Sequence, residues 1–149
     1  MMGLVLIASF VVVIDRVTKL FFRSALSNGQ SIKIIPNIFH LTLVRNSGSA
    51  FGLFRNQALF FIITSILVIG LIIFCVWRYR YKDIFMIVAL GLILGGAVGN
   101  LIDRVLFGYV IDFLDFRIWP VFNIADSSIT IGAAILALKV LFNKKCFTT

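Results

Sequence analysis

Four long apolar stretches run through this chain and limit what it can fold into. They lie near residues 3–22, 58–77, 84–102 and 125–142 and contain few charged side chains. A helix of roughly 20 apolar residues crosses the hydrocarbon core of a bilayer, which is about 30 Å thick. Since 61% of the 149 residues are hydrophobic and only 13% are charged, we predict an α-helical membrane protein. It is expected to be one domain with four transmembrane helices.

Basic residues near the ends of these stretches predict the orientation in the membrane. Three of them fall within residues 78–82, and two lysines follow the fourth stretch at 144–145. Lysine and arginine next to a span favour the cytoplasmic side. Both termini are therefore expected in the cytoplasm, with residues 23–57 and 104–124 outside. The net charge of +8 is assigned to contacts with anionic lipid head groups, and no nucleic-acid partner is expected.

The residues that most often hold metals or form disulfides are few and separated. Cys75 and Cys146 are both expected near the cytoplasmic side, where thiols stay reduced. His40 is the one histidine, and it lies far from either cysteine in the sequence. We therefore expect no disulfide, no metal site and no cofactor.

Between the first two apolar stretches, residues 29–45 have the pattern of a small β-rich region. The run 39–43 alternates apolar and polar side chains, as a half-buried strand does, and Pro36 and Asn37 mark a turn before it. We expect a small sheet on the outer, extracytoplasmic face of the membrane. On the polar side of its strand, His40 is expected to be solvated.

The next segment, "RNSGSAFGLF" at residues 45–54, has two interpretations. It holds Asn46 and Gly48 among small side chains and ends in bulky apolar residues. Either it returns to the bilayer as an interfacial amphipathic segment, or it brings Asn46 to the mouth of a site.

Three glycines in the third apolar stretch are spaced four residues apart. Gly91, Gly95 and Gly99 therefore share one face of a helix. Small residues let two helices approach closely in lipid, where packing drives association. This face is predicted to pack against another helix.

Charged residues also occur inside or beside the predicted spans. Asn100, Asp103 and Arg104 share a helix face after the third stretch, and Asp15 and Lys19 are four residues apart in the first. Charges within a span usually face the bundle interior or a wet cavity. Asn100, Asp103 and Arg104 either brace the outer loop or form part of a site. Asp15 and Lys19 are either a structural latch or the floor of a polar cavity.

Four of the six acidic residues are concentrated between positions 103 and 126. Asp112 and Asp126 are expected where the outer loop meets the membrane. In such low-dielectric surroundings two nearby carboxylates can share one proton, which suits hydrolysis of an amide by activated water. Spacing alone does not choose this pair, because Asp115 is closer to Asp112. All of them could also be solvated loop carboxylates.

Five motifs resemble, in order and spacing, those of the lipoprotein signal peptidases, also called signal peptidase II: "DRVTK", "NSGSAF", "GGAVGNLIDR", "GYVIDF" and "FNIADSSI". The resemblance implies an aspartyl endopeptidase of the bacterial cytoplasmic membrane. Such an enzyme removes the signal peptide of a prolipoprotein, cutting on the N-terminal side of the cysteine that carries diacylglycerol. It also implies inhibition by the cyclic lipopeptide globomycin, as a substrate mimic.

The same resemblance implies roles for individual residues. Asp112 and Asp126 match the catalytic pair, here called the dyad. Supporting or substrate-binding roles fall on Asp15, Lys19, Asn46, Gly48, Asn100, Asp103, Arg104 and Asn123. Because Asp126 opens the fourth span, the helix dipole favours its ionised form, and we expect it to be the more acidic member. Asp115 is assigned to the solvated loop carboxylates.

Two other classes of protein fit parts of the sequence. In a small transporter or proton relay, the charged residues of the first and third stretches would line a path, but the sequence has no inverted repeat. A structural assembly subunit would explain the glycine face and leave the clustered aspartates without a role. Both remain alternatives to the peptidase.

Overall fold

The computed structural model of the chain describes residues 1–48, 58–81 and 83–142. Most of these residues are helical, in α1 (Met2–Ala25), α2 (Ala58–Tyr79), α3 (Ile84–Phe107) and α4 (Ile124–Phe142). The helices lie where the four apolar stretches predicted them. Several residues used in the sequence analysis lie outside the described part of the chain, namely Lys82, Lys144, Lys145, Cys146 and the segment 49–57.

Three of the helices, α2, α3 and α4, are long and apolar enough to cross a membrane. Helix α1 has 24 residues but carries Asp15, Arg16 and Lys19, and it is not among those three. The protein is thus of membrane type, with three candidate spans among its described helices. The predicted fourth span stays a prediction.

Helix α3 is the centre of the bundle and packs against each of the other three helices. The predicted glycine face is confirmed, and it packs against α1. A Cβ atom at Gly95 would lie 2.7 Å from the carbonyl oxygen of Ala8, and one at Gly91 would lie 3.0 Å from Ile7. On the side that faces α4, a Cβ at Gly96 would collide with the carbonyl oxygen of Ala125. Glycine on both sides of α3 therefore lets α1 and α4 approach its backbone.

Three strands form one antiparallel sheet in the order β1-β2-β3: β1 (Ser31–Ile35), β2 (Phe39–Asn46) and β3 (Val110–Asp115). The first two confirm the β-rich region predicted between the first two apolar stretches. The third strand follows α3, and the sequence analysis did not predict it. The sheet rests on the end of α1, where the rings of Phe22 and Phe113 stack with centroids 4.4 Å apart.

The predicted solvation of His40 is wrong. Its side chain is buried, and its Nδ1 lies 3.3 Å from Ser31 Oγ. Strand β2 is the central strand, and His40 has Lys33 and Asp115 as its register partners on the two sides. Alternation along one strand shows which face is polar, but it does not show whether neighbouring strands cover that face.

We predict that Gly96→Val destabilises the protein by about 1–3 kcal/mol, the usual cost of overpacking a tight contact. The new side chain would meet the Ala125 carbonyl and the side chain of Ile129, whose Cγ1 lies 2.7 Å from the Cβ position. Gly70→Val in α2 is the matched control, because nothing lies within 4 Å of its Cβ position. Thermal unfolding in detergent micelles measures the difference. Equal melting temperatures for the two variants would contradict the tight α3–α4 contact.

Candidate active site

A buried lysine joins two helices at the centre of the site. Lys19 Nζ lies 2.9 Å from Asp15 Oδ2 and 3.0 Å from Asp103 Oδ2, and it donates a hydrogen bond to Asn100 Oδ1 at 3.0 Å. Lys19, Asp15 and Asp103 are all fully buried. The predicted pairing of Asp15 with Lys19 on one face of α1 is confirmed. The structure adds two residues of α3 to it.

Arg16 also contacts this group, through an ion pair with the Oδ1 atom of Asp103. We call Asp15, Arg16, Lys19 and Asp103 the buried charge cluster. The sequence analysis did not single out Arg16, although it lies next to Asp15 in the same charged segment.

The predicted common helix face does not hold for Asp103 and Arg104. Asp103 pairs with Arg16 and Lys19 of α1, and the Arg104 guanidinium lies 4.9 Å from the centre of the Phe61 ring. Adjacent residues of a helix point in different directions, so Asp103 and Arg104 face different surroundings.

The buried charge cluster also holds the backbone just before each dyad residue. Asp103 Oδ2 accepts a hydrogen bond from the Ile111 N–H at 3.1 Å, and Asp15 Oδ1 accepts one from the Ala125 N–H at 3.0 Å. These two residues immediately precede Asp112 and Asp126. The cluster thereby positions β3 and the start of α4 relative to each other.

Three asparagines surround the dyad carboxylates. Asn46 and Asn123 donate to the two oxygens of Asp112 at 2.9 and 2.6 Å. Asn100 donates to Asp126 Oδ1 at 2.7 Å, and Asn123 Oδ1 accepts the Asp126 N–H at 2.9 Å. Asn123 therefore contacts both members of the dyad. Asn100 joins Asp126 to the buried charge cluster, because its oxygen accepts from Lys19.

The electrostatic environment of the dyad differs from that of the charge cluster. The side-chain hydrogen bonds to Asp112 and Asp126 come from neutral amides, and no ion pair involves either carboxylate within the described residues. Asp112 is 1% exposed. Its burial, together with the charge of Asp126, raises the pKa of Asp112 to about 7, although the bonds from Asn46 and Asn123 oppose the shift. Asp112 thus holds a proton up to neutral pH.

Asp126 lies in the first turn of α4, as predicted, and is half-buried. Its open side faces a pocket of about 160 Å³, which we call the polar pocket. Asn46, Gly48 and Arg104 line this pocket together with the segment 119–122. The interpretation in which Asn46 is brought to a site therefore agrees with its position. The remainder of that segment, from residue 49 to 54, lies outside the described residues.

Asp115 is not solvated, which corrects the assignment made from the sequence. It is 4% exposed and accepts hydrogen bonds from Thr42 Oγ1 at 2.7 Å and from the Arg117 N–H at 2.9 Å. Burial favours its neutral form, but the bonds from Thr42 and Arg117 outweigh burial and lower the pKa of Asp115. The carboxylate is thus a structural acceptor in the sheet. Sequence spacing could not show this, because Thr42 comes from a distant strand.

The arrangement defines a helical membrane protein with one buried and one half-buried carboxylate beside a small pocket, a combination that suits acid–base chemistry on water. Within residues 1–48, 58–81 and 83–142, no group of three or more His, Cys, Asp or Glu is placed to hold a metal ion. Residues 7–142 match the family described as signal peptidase (SPase) II. The chain belongs to this family of proteases.

Individual relatives agree with this assignment. The lipoprotein signal peptidase of Halothermothrix orenii is 46% identical over 134 residues, covering 89% of this chain and 91% of the relative. That of Brevibacillus brevis is 46% identical over 143 residues, covering 94% and 95%. A solved bacterial membrane enzyme superposes with a TM-score of 0.88 at 38% identity, over 98% of this chain and 90% of that one.

We predict that Lys19→Met costs about 3–5 kcal/mol of stability, because it leaves buried carboxylates without their shared cation. Lys139→Met is the control. Its Nζ lies 2.7 Å from Asp83 Oδ2, but that pair is partly exposed, so solvent screens it and the loss should be much smaller. The free energy of unfolding in mixed detergent micelles is the measurement.

A second variant separates charge from packing. Among the described residues Asp15 has an ion pair only with Lys19, whereas Asp103 also pairs with Arg16. Adding Asp15→Asn to Lys19→Met therefore removes the unpaired carboxylate and should restore part of the stability. If the double variant is the less stable one, charge imbalance is not the cause of the loss.

Proposed function

We propose that Asp112 and Asp126 hydrolyse a peptide bond as one acid–base unit. The observation that carries the proposal is that buried Asp112 and half-buried Asp126 both accept side-chain hydrogen bonds from neutral amides, with the pKa of Asp112 raised to about 7. One protonated and one ionised carboxyl group can then coexist near neutral pH. This is the state needed to activate water and the substrate carbonyl together.

In the proposed reaction, ionised Asp126 takes a proton from water as the water oxygen bonds to the scissile carbonyl carbon. Protonated Asp112 donates its hydrogen bond to the carbonyl oxygen, where negative charge develops. When the tetrahedral intermediate collapses, the C–N bond breaks and the proton held by Asp126 passes to the leaving amine. Asp126 is assigned the base because it lies at the N-terminal end of α4, where the helix dipole favours a carboxylate.

The neighbouring polar residues take supporting roles in this proposal. Asn46 and Asn123 orient Asp112, while Asn100 orients Asp126. Arg104 lines the polar pocket together with Gly48 and is proposed to stabilise the developing oxyanion. Asp15, Lys19 and Asp103 act indirectly. Asp15 and Asp103 hold the backbone of the residue before each dyad member.

The proposed substrate is a prolipoprotein whose cysteine carries diacylglycerol, and the bond cut is the one on the N-terminal side of that cysteine. The names of the relatives, lipoprotein signal peptidases, support this choice. Asp126 lies at the start of α4, a candidate membrane span, and this position suits a substrate whose lipid lies in the bilayer. Globomycin is proposed to compete for the same site.

We also propose that α1 is the fourth span, with both termini in the cytoplasm and the dyad toward the outer leaflet. The charged side chains Asp15 and Lys19 point into the bundle and neutralise each other. The opposite face of α1 presents Leu6, Phe10 and Val17, which are 62%, 66% and 60% exposed. A helix with buried, paired charges and an apolar outer face is compatible with lipid on that face.

We predict that Asp112→Asn and Asp126→Asn each lower turnover at least about 100-fold, and that the double variant is little worse, because residues acting as a unit are not additive. The measurement is the rate at which purified protein cleaves a diacylglyceryl-modified precursor, with both products identified by mass. Asp115→Asn is the control. It should keep most activity, because the hydrogen-bond partners of Asp115 are Thr42 of β2 and Arg117 just after β3, and neither is a member of the dyad.

Melting temperatures of all three single variants must stay near that of the parent for the comparison to hold. Near-parental cleavage by either dyad variant, or loss of cleavage in a stable Asp115→Asn, would show that the pair has been assigned wrongly.

The pH profile of kcat/KM is predicted to be bell-shaped, with activity falling as pH rises through about 7, where Asp112 loses its proton. Asn46 donates to Asp112 Oδ2, and this bond favours the ionised form. Removing it in Asn46→Ala should therefore move the alkaline limb to higher pH. Thr42→Val, which removes a donor to Asp115 instead, should leave the limb in place. An alkaline limb that is the same in all three proteins would contradict the role given to Asp112.

A further inference from the structure

Arg104, in the last turn of α3, contacts both the candidate active site and helix α2. Its half-buried side chain lines the polar pocket together with Asn46 and Asp126. Its guanidinium carbon Cζ lies 4.9 Å from the centre of the Phe61 ring, which belongs to α2. Helix α2 therefore reaches the candidate site through this contact.

Arg104 shares the polar pocket with a dyad carboxylate without forming an ion pair. No ion pair among the described residues involves Arg104, whereas Arg16 and Lys19 both pair with Asp103. An arginine beside a carboxylate usually binds it through paired N–H donors. Within the part of the chain that the structure describes, no carboxylate neutralises the charge of Arg104.

The face of an aromatic ring attracts a cation without neutralising it. The face carries negative potential, and a guanidinium within about 6 Å of the ring centre is attracted to it. The distance of 4.9 Å between Arg104 and Phe61 is inside this range. A carboxylate would cancel the charge and occupy the N–H donors. The ring can fix the position of the guanidinium while its charge and most of its N–H donors stay available to a substrate oxygen.

The position of the Phe61 ring is itself set by packing. Phe61 lies in the first turn of α2, and the ring of Phe60 packs edge-on against it, with centroids 5.3 Å apart and an interplanar angle of 78°. Helix α2 packs against α3, which carries Arg104. The contact between Phe61 and Arg104 is therefore set by two packed helices.

We propose that Phe61 is a positioning residue for the reaction, whose ring keeps the Arg104 guanidinium in the polar pocket and out of an ion pair with Asp126. The guanidinium is then free to donate to the scissile carbonyl oxygen as negative charge develops there. Without the ring, Arg104 would turn to Asp126, and the site would lose both its shared proton and its oxyanion donor. This inference rests on the proposed function and gives α2 a role in it.

The first test changes the charge distribution of the ring and keeps its apolar shape. Phe61 is replaced by phenylalanine carrying one, two or three fluorine atoms, because each fluorine weakens the negative potential of the ring face. For a diacylglyceryl-modified precursor, kcat should fall stepwise, by roughly tenfold with three fluorines, while KM stays within about twofold. A role in packing alone predicts no stepwise loss, so a constant kcat through the series overturns the proposal.

Removing the ring gives a second readout, the pH profile. In Phe61→Leu, Arg104 can pair with Asp126, and a cation beside the dyad favours its ionised carboxylates. The alkaline limb of kcat/KM should therefore move to lower pH, opposite to the shift predicted for Asn46→Ala. Phe74→Leu is the matched control in the same helix, because Phe74 is 56% exposed, and its limb should stay in place. A limb that does not move to lower pH in Phe61→Leu contradicts the proposal.

Other charges near the dyad should not cause this shift. Among the described residues they are those of the buried charge cluster and Asp115. Lys19 opposes the rise in the pKa of Asp112, but its ammonium group is held by Asp15 and Asp103. Asp115 is held by residues of β2 and of the segment after β3. None of these contacts involves a residue of α2, so Phe61→Leu leaves them in place.

A double variant separates this inference from the proposed function. If Phe61 acts through Arg104, Phe61→Leu should lower kcat roughly tenfold in the parent and less than about twofold in Arg104→Met. Equal losses in both backgrounds would show that Phe61 acts by another route and would overturn the inference. A loss of kcat in Arg104→Met with none in Phe61→Leu would overturn the inference alone. An unchanged kcat in Arg104→Met would overturn the oxyanion role as well.

A spectroscopic measurement does not depend on turnover. In protein with isotope-labelled arginine, the Nε–H proton signal of Arg104 is identified by its absence from Arg104→Lys. The ring current of Phe61 should shift this signal, and the shift should be lost in Phe61→Leu and kept in Phe74→Leu. The same signal position in the parent and in Phe61→Leu would overturn the inference. A parent that shows the shift but cleaves no lipidated precursor would count against the proposed function alone.

Discussion

The ammonium group of Lys19 lies between two fully buried carboxylates, and the geometry of the whole site depends on it. It pairs with Asp15 of α1 and with Asp103 of α3, and Asp103 also pairs with Arg16. Asp103 also accepts a hydrogen bond from the N–H of Ile111, the residue before Asp112. Asp15 accepts one from the N–H of Ala125, the residue before Asp126. A single buried interaction therefore joins α1 to α3, to β3 and to the start of α4.

The dyad lies in the same low-dielectric interior, but its carboxylates have different partners from those of the buried charge cluster. Within the part of the chain that the structure describes, the carboxylates of the buried charge cluster pair with cations, whereas the side-chain hydrogen bonds to the dyad carboxylates come from neutral amides. The first arrangement stabilises fixed charges, and the second makes one proton easy to share. Asp126 also lines the polar pocket.

Features that depend on neighbours along the chain could be predicted from the sequence. The four helices follow from runs of apolar residues, and the first two strands follow from local alternation and a turn signal. The glycine face of α3 and the pairing of Asp15 with Lys19 follow from helical periodicity, because residues three or four apart share a face. The position of Asp126 in the first turn of α4 follows from where the last apolar stretch begins.

Contacts between segments that are distant in the sequence were decided only by the tertiary structure. Strand β3 pairs with β2 across the whole of α2 and α3, and that pairing buries His40 and Asp115, both of which were expected in solvent. The ion pair between Arg16 of α1 and Asp103 of α3 is likewise a contact between distant segments. Local periodicity indicates which face of an element is polar. Which element covers that face is decided by packing, and burial in turn decides whether a carboxylate is a solvated charge, an ion-pair partner or an acid.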